Sequence, residues 1–252
     1  MMDLFQRKPR RYVTPSGDLY TLFDDMAAQP HLLIAGATGS GKSVLLNGIM
    51  YNLLHRGPAS AQLILLDPKR VELKRYQDLP HVLRYASESG DMLEALRYAL
   101  DIVEARYKYM AKKGLLLYDG GDVYIIIDEL AALMTTQKKT VLPILQQLGQ
   151  IARAARVHMI ACTQTVKADV LPTVLTCNFD SRVALRTATA QQSRMIVDVA
   201  GCETFPAPQA AGMALCFYRH GAELEKYRIP KYTDEQTEHV LTWWTSKQCI
   251  AC

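Results

Sequence analysis

The eight residues 36–43, which read GATGSGKS, restrict the fold of this chain more than any other segment. They match the pattern G-x-x-x-x-G-K-[ST] at every fixed position, and this pattern describes a loop whose backbone N–H groups surround phosphate oxygens. The loop follows an apolar run at residues 31–36 and opens a segment, residues 42–56, whose apolar residues recur at helical spacing. The sequence therefore predicts a strand, a phosphate-binding loop and a helix in succession.

Each position of this phosphate loop has a chemical role. The glycines let the backbone approach the phosphates closely, and the start of the following helix adds partial positive charge. We expect Lys42 to contact the β- and γ-phosphates and the Ser43 hydroxyl to bind Mg²⁺. The residues predicted to hold the nucleotide are those of the whole loop: Gly36, Ala37, Thr38, Gly39, Ser40, Gly41, Lys42 and Ser43.

An acidic pair completes the predicted site. The apolar run at residues 123–127 leads into Asp128, and Glu129 follows directly. We expect Asp128 to lie beside the phosphate loop and to hold Mg²⁺ through water. An acid directly after such an aspartate can orient and deprotonate an attacking water, so Glu129 is the predicted catalytic base. A hydrolytic base favours a nucleotide-hydrolysing motor over a nucleotide kinase.

Strands and helices alternate along the rest of the chain. Continuous apolar strands that alternate with helices predict an α/β fold with a mainly parallel sheet and helices on both faces. Residues 1–28 are expected to form an N-terminal arm, and residues 29–252 a single domain that closes with a short helix. Further strands are predicted at residues 61–67, 81–87, 157–163 and 181–187, helices at residues 91–110, 140–156, 190–200 and 234–244, and a hairpin at residues 212–229.

Composition narrows the functional classes. A net charge of +4 over 252 residues permits nucleic-acid binding without demanding it. No apolar run approaches the ~18 residues of a membrane span. The basic start of the chain lacks the apolar stretch of a signal peptide. These features predict a cytoplasmic protein without a membrane segment.

Several segments resemble the motor domain of the FtsK/SpoIIIE DNA translocases, within the wider FtsK–HerA group of ring ATPases. The resemblance covers roughly residues 18–230, with the segments in family order. Two of these segments, LLDPKRVEL and IARAARVHMIACTQ, are far more specific than the phosphate loop. The segments are PHLLIAGATGSGKS (30–43), LLDPKRVEL (65–73), EARYKYM (104–110), IIIDELAALM (125–134), IARAARVHMIACTQ (151–164) and SRVALRT (181–187).

The resemblance implies a RecA-like P-loop NTPase domain that hydrolyses ATP with Mg²⁺ in a homo-hexameric ring. In such rings an arginine of the next subunit completes the site. Arg153 occupies the family's position, and Arg156, which replaces a family glycine and is expected on a similar helix face, is the alternative. Gln164 matches a nucleotide-sensing position. Lys69 and Glu72 are expected near a subunit interface or in a purely structural ion pair.

The resemblance also implies that double-stranded DNA passes through the pore of the ring. The predicted DNA contacts are Lys167, Arg186 and Arg194, on loops that follow two strands of the sheet. Thr165 stands where the family has an arginine, so the grip on DNA is redistributed or weaker. A ring ATPase of the same group, for conjugative coupling of single-stranded DNA or for protein secretion, is the alternative function. We expect a motor without the family's membrane segment or winged-helix domain.

Overall fold

A computed structural model describes residues 30–208, 214–229 and 234–248. These residues form an eight-stranded sheet that carries helices on both faces, so the predicted fold class is confirmed. The strands are β1 (His31–Ala35), β2 (Ala61–Leu66), β3 (Val82–Ala86), β4 (Asp122–Ile127), β5 (Val157–Thr163), β6 (Ser181–Ala184), β7 (Ala214–His220) and β8 (Glu223–Ile229). The helices are α1 (Lys42–His55), α2 (Ser89–Lys113), α3 (Leu130–Thr136), α4 (Lys138–Ile151), α5 (Thr173–Thr176), α6 (Ala190–Val197) and α7 (Asp234–Gln248).

The strand order is β3-β2-β4-β5-β1-β6-β7-β8. The first six strands in this order are parallel, and the β7–β8 hairpin joins them in antiparallel orientation. We call the edge where the parallel strands end the carboxyl edge, and the edge where they begin the amino edge. Ligands of open α/β sheets bind at the carboxyl edge. The loops after β1, β4, β5 and β6 all open there.

The sheet is buried on both faces, which explains the continuous apolar runs of its central strands. Successive residues of β4 point to opposite faces. Ile125 packs in a cluster with residues of α2 and α4, whereas Ile126 packs in a second cluster with residues of α1 and α7. Both side chains are fully buried. The central strands are therefore rigid supports for the loops that follow them.

The structure corrects the predicted helices. The helix predicted at residues 140–156 ends at Ile151, and Arg156 takes a left-handed conformation with φ 53° directly before β5. Arg153 and Arg156 consequently lie in a turn, and the expectation that they share a helix face is wrong. The helix predicted at residues 190–200 ends at Val197 because Asp198 is left-handed.

Other predicted bounds shift by a few residues, and the strand predicted at residues 181–187 ends at Ala184. The helix predicted at residues 91–110 runs over Ser89–Lys113 and ends where Gly114 adopts φ 67°. Helix α3 was not predicted, since seven residues are too few to show a clear period. The predicted arm, residues 1–28, lies outside the described residues. No helix in the described part of the chain combines the length and the apolar character needed to cross a membrane.

His31 begins β1 and is buried, with 1% of its surface exposed. Its Nδ1 accepts a hydrogen bond from the Met159 N–H at 3.1 Å, so this nitrogen carries no proton. Burial, with a contribution from His158, lowers the pKa of His31 to about 3. The folded protein therefore binds a proton at this site more weakly than the unfolded chain does.

We predict that His31 makes stability fall in mild acid. The pKa of His31 is lower in the folded state than in the unfolded chain. Its contribution to the free energy of unfolding is therefore complete above the unfolded pKa of about 6.5. This contribution is lost as pH falls toward about 3, at about 1.4 kcal/mol per pH unit. His31→Asn keeps an acceptor near the position of Nδ1 but does not titrate. Denaturant unfolding from about pH 8 to about pH 5 should therefore show a shallower pH dependence for His31→Asn. Equal slopes in the two proteins would contradict the prediction.

Candidate nucleotide-binding site

The phosphate loop joins the end of β1 to the start of α1 at the carboxyl edge. Gly39 and Gly41 have φ angles of 72° and 100°, in the left-handed region that favours glycine. A Cβ atom on Gly41 would lie 2.5 Å from the Cβ of Ala214, and one on Gly36 would lie 2.6 Å from the Cβ of Leu185. The glycines of the motif are therefore required by backbone conformation and by close packing.

The neighbouring strands hold this loop in place. The Ala37 N–H donates to the Arg186 carbonyl at 2.8 Å, and the Gly36 N–H donates to the Thr163 carbonyl at 3.3 Å. Arg186 follows β6 and Thr163 ends β5, so strands on both sides of β1 anchor the loop. The loop is thus preformed for an anion at the N-terminus of α1.

Lys42 and Asp128 form a buried ion pair at the base of the loop. The Lys42 ammonium contacts the Asp128 carboxylate and also donates to the Asp128 carbonyl at 3.0 Å. Burial acts to lower the pKa of Lys42, but the electrostatic effects of Cys162 and of the Asp128 carboxylate together outweigh it, and the pKa is raised. Lys42 is therefore charged, as contact with phosphates requires.

Asp128 lies beside the phosphate loop as predicted, although its strand is not the neighbour of β1. Strand β5 lies between β4 and β1, and the Lys42 side chain reaches past it. This insertion brings the end of β5, Thr163 and Gln164, between the phosphate loop and the acidic pair. The sequence alone did not show this arrangement.

Glu129 is the residue before α3 and is buried, with 5% of its surface exposed. Its Oε1 accepts hydrogen bonds from the Thr163 hydroxyl at 2.8 Å and from the Gln164 N–H at 3.2 Å. Its Oε2 accepts one from the Lys69 ammonium at 3.1 Å. These three donors fix the carboxylate at the wall of a cleft of about 650 Å³ that Thr38 and Gln164 also line.

Gln164 connects the phosphate loop to this carboxylate. Its side-chain Oε1 accepts a hydrogen bond from the Thr38 hydroxyl at 3.0 Å, while its own N–H donates to Glu129. The residue therefore touches the phosphate loop and the predicted base at once. This position is suited to the predicted nucleotide-sensing role.

Lys69 and Glu72 do not form an ion pair with each other. Lys69 turns to Glu129, and the Glu72 carboxylate accepts a hydrogen bond from the Ser43 hydroxyl. The Asp67 carboxylate shapes the connection between them by accepting the Leu73 N–H at 3.0 Å. The loop after β2 thus adds two charged residues to the site. The LLDPKRVEL segment marked them in the sequence without showing which residues they contact.

The oxygens at the base of the loop fit Mg²⁺, which prefers hard oxygen ligands. They are the Ser43 hydroxyl and the carboxylates of Asp128 and Glu72. The Oδ2 atom of Asp128 is buried, and no hydrogen-bond partner reaches it among the described residues. A buried carboxylate oxygen in this state is suited to a cation or to one of its water ligands.

The two arginines predicted for a neighbouring site lie at the amino edge. Strand β5 has seven residues and separates them from the phosphate loop by about 20 Å. Arg156 donates to the Asp122 carboxylate at 2.7 and 3.1 Å. Arg153 is exposed, and no hydrogen bond or ion pair of its side chain is found within the described residues. Neither arginine can serve the site of its own chain, and Arg153 is the one available to another.

The three predicted DNA contacts all follow strands at the carboxyl edge. Lys167 is exposed in the turn after β5. The Lys167 carbonyl accepts hydrogen bonds from the N–H groups of Val170 and Leu171 at 3.0 and 2.9 Å. Arg194 is exposed on α6. Arg186 is half-buried, and its backbone already anchors the phosphate loop. The structure thus places Lys167 and Arg186 at the same edge as the candidate nucleotide site, and Arg194 on the helix that follows β6.

The sequence profile of the FtsK/SpoIIIE family matches residues 13–220, which is most of the chain. This chain belongs to the FtsK/SpoIIIE family. It is 33% identical over 246 residues to the DNA translocase FtsK of Borreliella burgdorferi, a match that spans 84% of this chain and 31% of that protein. It is 37% identical over 200 residues to the DNA translocase FtsK of Streptococcus pneumoniae, across 71% of this chain and 26% of that protein. The chain therefore spans about a third or less of the length of these FtsK relatives.

Solved structures show that other proteins share this fold. The monomer form of the pCW3 conjugation coupling protein TcpA with ATPγS superposes with a TM-score of 0.74 at 23% identity, covering 87% of this chain and 66% of that one. ATPases 2 and 3 of EssC from Geobacillus thermodenitrificans superpose with a TM-score of 0.73 at 12% identity, covering 87% of this chain and 45% of that one. The family resemblance and the P-loop ATPase fold are thus confirmed for this FtsK/SpoIIIE member.

We predict that Lys42→Ala abolishes ATP binding and also lowers the free energy of unfolding. It removes one partner of a buried ion pair, which costs about 3–5 kcal/mol when the other charge stays behind. The double variant Lys42→Ala/Asp128→Asn should regain much of this stability and still fail to bind ATP. Denaturant unfolding and titration with a fluorescent ATP analogue measure the two effects separately.

Asp128→Asn alone is the matched control for this pair. If Lys42→Ala is as stable as the parent, the ion pair has no energetic role in the fold. If the double variant is as unstable as Lys42→Ala, the loss does not come from the unpaired carboxylate.

Proposed function

We propose that this chain is the ATP-hydrolysing motor of a double-stranded DNA translocase, acting as a hexameric ring with DNA in its pore. The observation that carries the proposal is the Glu129 carboxylate, which three donors hold at the wall of a cleft beside a preformed phosphate loop. The relatives of the chain are named DNA translocases, which supports DNA as the partner.

The residues of the site divide the work of ATP hydrolysis between them. The phosphate loop and Lys42 bind the phosphates, and Ser43 with Asp128 would hold Mg²⁺, which would supply neutralisation of phosphate charge when bound. Glu129 orients the attacking water and accepts its proton. Gln164 links the phosphate loop to the loop after β5, so it can carry a change at the γ-phosphate to Lys167.

Arg153 acts as the arginine that one subunit donates to the site of the next. It is exposed at the amino edge, about 20 Å from the site of its own chain. A guanidinium placed on the γ-phosphate stabilises charge in the transition state. The geometry supports Arg153 over Arg156, because Asp122 already occupies the guanidinium of Arg156.

Lys167, Arg186 and Arg194 contact DNA phosphates. A motor that moves along any sequence must grip the backbone, and the affinity of such contacts falls as salt rises. Coupling of single-stranded DNA or secretion of protein is the second candidate. It is favoured by Thr165, which stands where the FtsK/SpoIIIE pattern has an arginine after Gln164.

We predict that linear double-stranded DNA stimulates ATP hydrolysis and that single-stranded DNA does not. Glu129→Gln should bind ATP and DNA but hydrolyse nothing, because it lacks the proton acceptor. Lys167→Ala and Arg194→Ala should each weaken DNA binding and reduce the slope of log affinity against log salt by about 1. Steady-state hydrolysis and fluorescence anisotropy at several salt concentrations measure these effects.

Lys112→Ala is the matched control, since it removes one exposed lysine from the last turn of α2, away from the loops after β5 and β6. If Lys112→Ala loses as much DNA affinity as Lys167→Ala and Arg194→Ala, the DNA contacts are not specific to those loops. Absence of stimulation by duplex DNA in an assembled ring would contradict the translocase proposal and favour the second candidate.

We predict that Arg153→Ala slows hydrolysis by roughly 10³-fold, the usual effect of losing an arginine finger, and leaves ATP affinity unchanged. Mixing it with Glu129→Gln should restore activity. In mixed rings, an Arg153→Ala subunit with an intact base meets an intact arginine from a Glu129→Gln neighbour. Arg97→Ala, which removes another exposed arginine, should behave as the parent. Mixtures that stay inactive would contradict a role in the neighbouring site.

A further inference from the structure

The turn of residues 152–156, which carries Arg153, is tied to a buried guanidinium. Arg106 of α2 is 8% exposed, and its Nη1 atom alone donates to the carbonyls of Ala155 at 2.7 Å and Arg156 at 3.1 Å. The same guanidinium lies over the Tyr118 ring, 4.2 Å from its centre. Both recorded hydrogen bonds of this cation therefore go to the backbone of the turn.

Further bonds tie the turn on its other side. The Tyr107 hydroxyl donates to the Ile151 carbonyl at 2.8 Å, and the Tyr118 N–H donates to the Ala154 carbonyl at 2.9 Å. Helix α2 and the segment after it thus bond to the backbone just before Arg153 and just after it. These bonds restrain the backbone of the turn.

A third attachment runs through Arg156. This residue has φ 53°, a left-handed conformation that costs roughly 1–2 kcal/mol for a residue with a Cβ atom. Its guanidinium is held by Asp122, which also accepts bonds from Arg56 at 2.5 Å and His158 at 3.0 Å. The cluster around Asp122 therefore keeps the end of the turn in a conformation that the chain would otherwise avoid.

The contrast with Arg153 carries the inference. The backbone around Arg153 is fixed from three directions, whereas its side chain is exposed and contacts no partner among the described residues. Burial of the Arg106 guanidinium disfavours its charge and lowers its pKa. An apolar residue of similar size would fill the space without this cost. The presence of a costly buried cation here, bonded to carbonyls of the turn, is explained if the exact position of the turn matters.

We infer that Arg106 is a positioning residue that presents Arg153 to the neighbouring subunit of the ring. The inference rests on the proposed role of Arg153 in that subunit's site. Arg106 belongs to the EARYKYM segment, one of those that carry the family resemblance. Misplacing a catalytic group by about 1 Å costs on the order of 100-fold in rate.

The test compares Arg106→Met with Arg106→Lys in the full chain. Methionine keeps the length and volume of the side chain but donates no hydrogen bond. We expect Arg106→Met to lower kcat by about 100-fold with little change in KM for ATP, because only the neighbour's site loses its arginine. Arg106→Lys should recover much of the activity, since one nitrogen makes both bonds in the parent.

Mixing Arg106→Met with Glu129→Gln separates positioning from damage within the subunit. Each Arg106→Met subunit keeps its own base and, in a mixed ring, receives a well-placed Arg153 from a Glu129→Gln neighbour. Activity above that of either variant alone is therefore expected. Tyr107→Phe, which removes only the bond to the Ile151 carbonyl, serves as a milder second variant if Arg106→Met does not fold. It should show a smaller decrease in kcat that mixing with Glu129→Gln again relieves.

Three results would overturn the inference. One is a folded Arg106→Met with parental kcat, and another is an inactive Arg106→Met that Glu129→Gln does not rescue while it does rescue Arg153→Ala. The third is an Arg106→Lys variant as slow as Arg106→Met. If Glu129→Gln fails to rescue Arg153→Ala as well, the proposed action of Arg153 in the neighbouring site is wrong, and the inference falls with it.

Discussion

The ion pair between Lys42 and Asp128 is the interaction on which the arrangement of the site depends. It joins the start of α1 to the end of β4 across an intervening strand. A buried ammonium and a buried carboxylate are each costly to leave alone, so the two elements must stay together. Under the proposed function, the same pair also serves phosphate and Mg²⁺ binding, so stability and nucleotide binding would share two side chains.

Strand β5 is the second organising element, because its two ends serve different sites. Its carboxyl end supplies Thr163 and Gln164, which hold Glu129 and contact the phosphate loop. Its amino end follows the turn that carries Arg153. The strand is buried at every position between these ends. Under the proposed function, one buried strand thus connects the nucleotide site of a subunit to the arginine proposed for the neighbouring site.

Much of this site was predictable from residue patterns. The phosphate loop, Asp128 and Glu129 are local motifs whose geometry follows from a strand end and a helix start, and the structure places them as expected. The bounds of α4 were not predictable, because the apolar period continues through Ala152 and Ala155 although the helix ends at Ile151. Hydrogen bonds from α2 hold those residues in a turn, and a linear pattern contains no sign of such distant donors.

The sequence by itself determined the fold class, the phosphate loop, the acidic pair and the family, because each is visible as local patterns in their order along the chain. The tertiary structure decided which groups meet. It placed β5 between β4 and β1, turned Lys69 to Glu129 and Glu72 to Ser43, bound Arg156 to Asp122 and left Arg153 free of such a partner among the described residues. Strand order and long-range hydrogen bonds set these contacts, and they follow from how all the elements pack together.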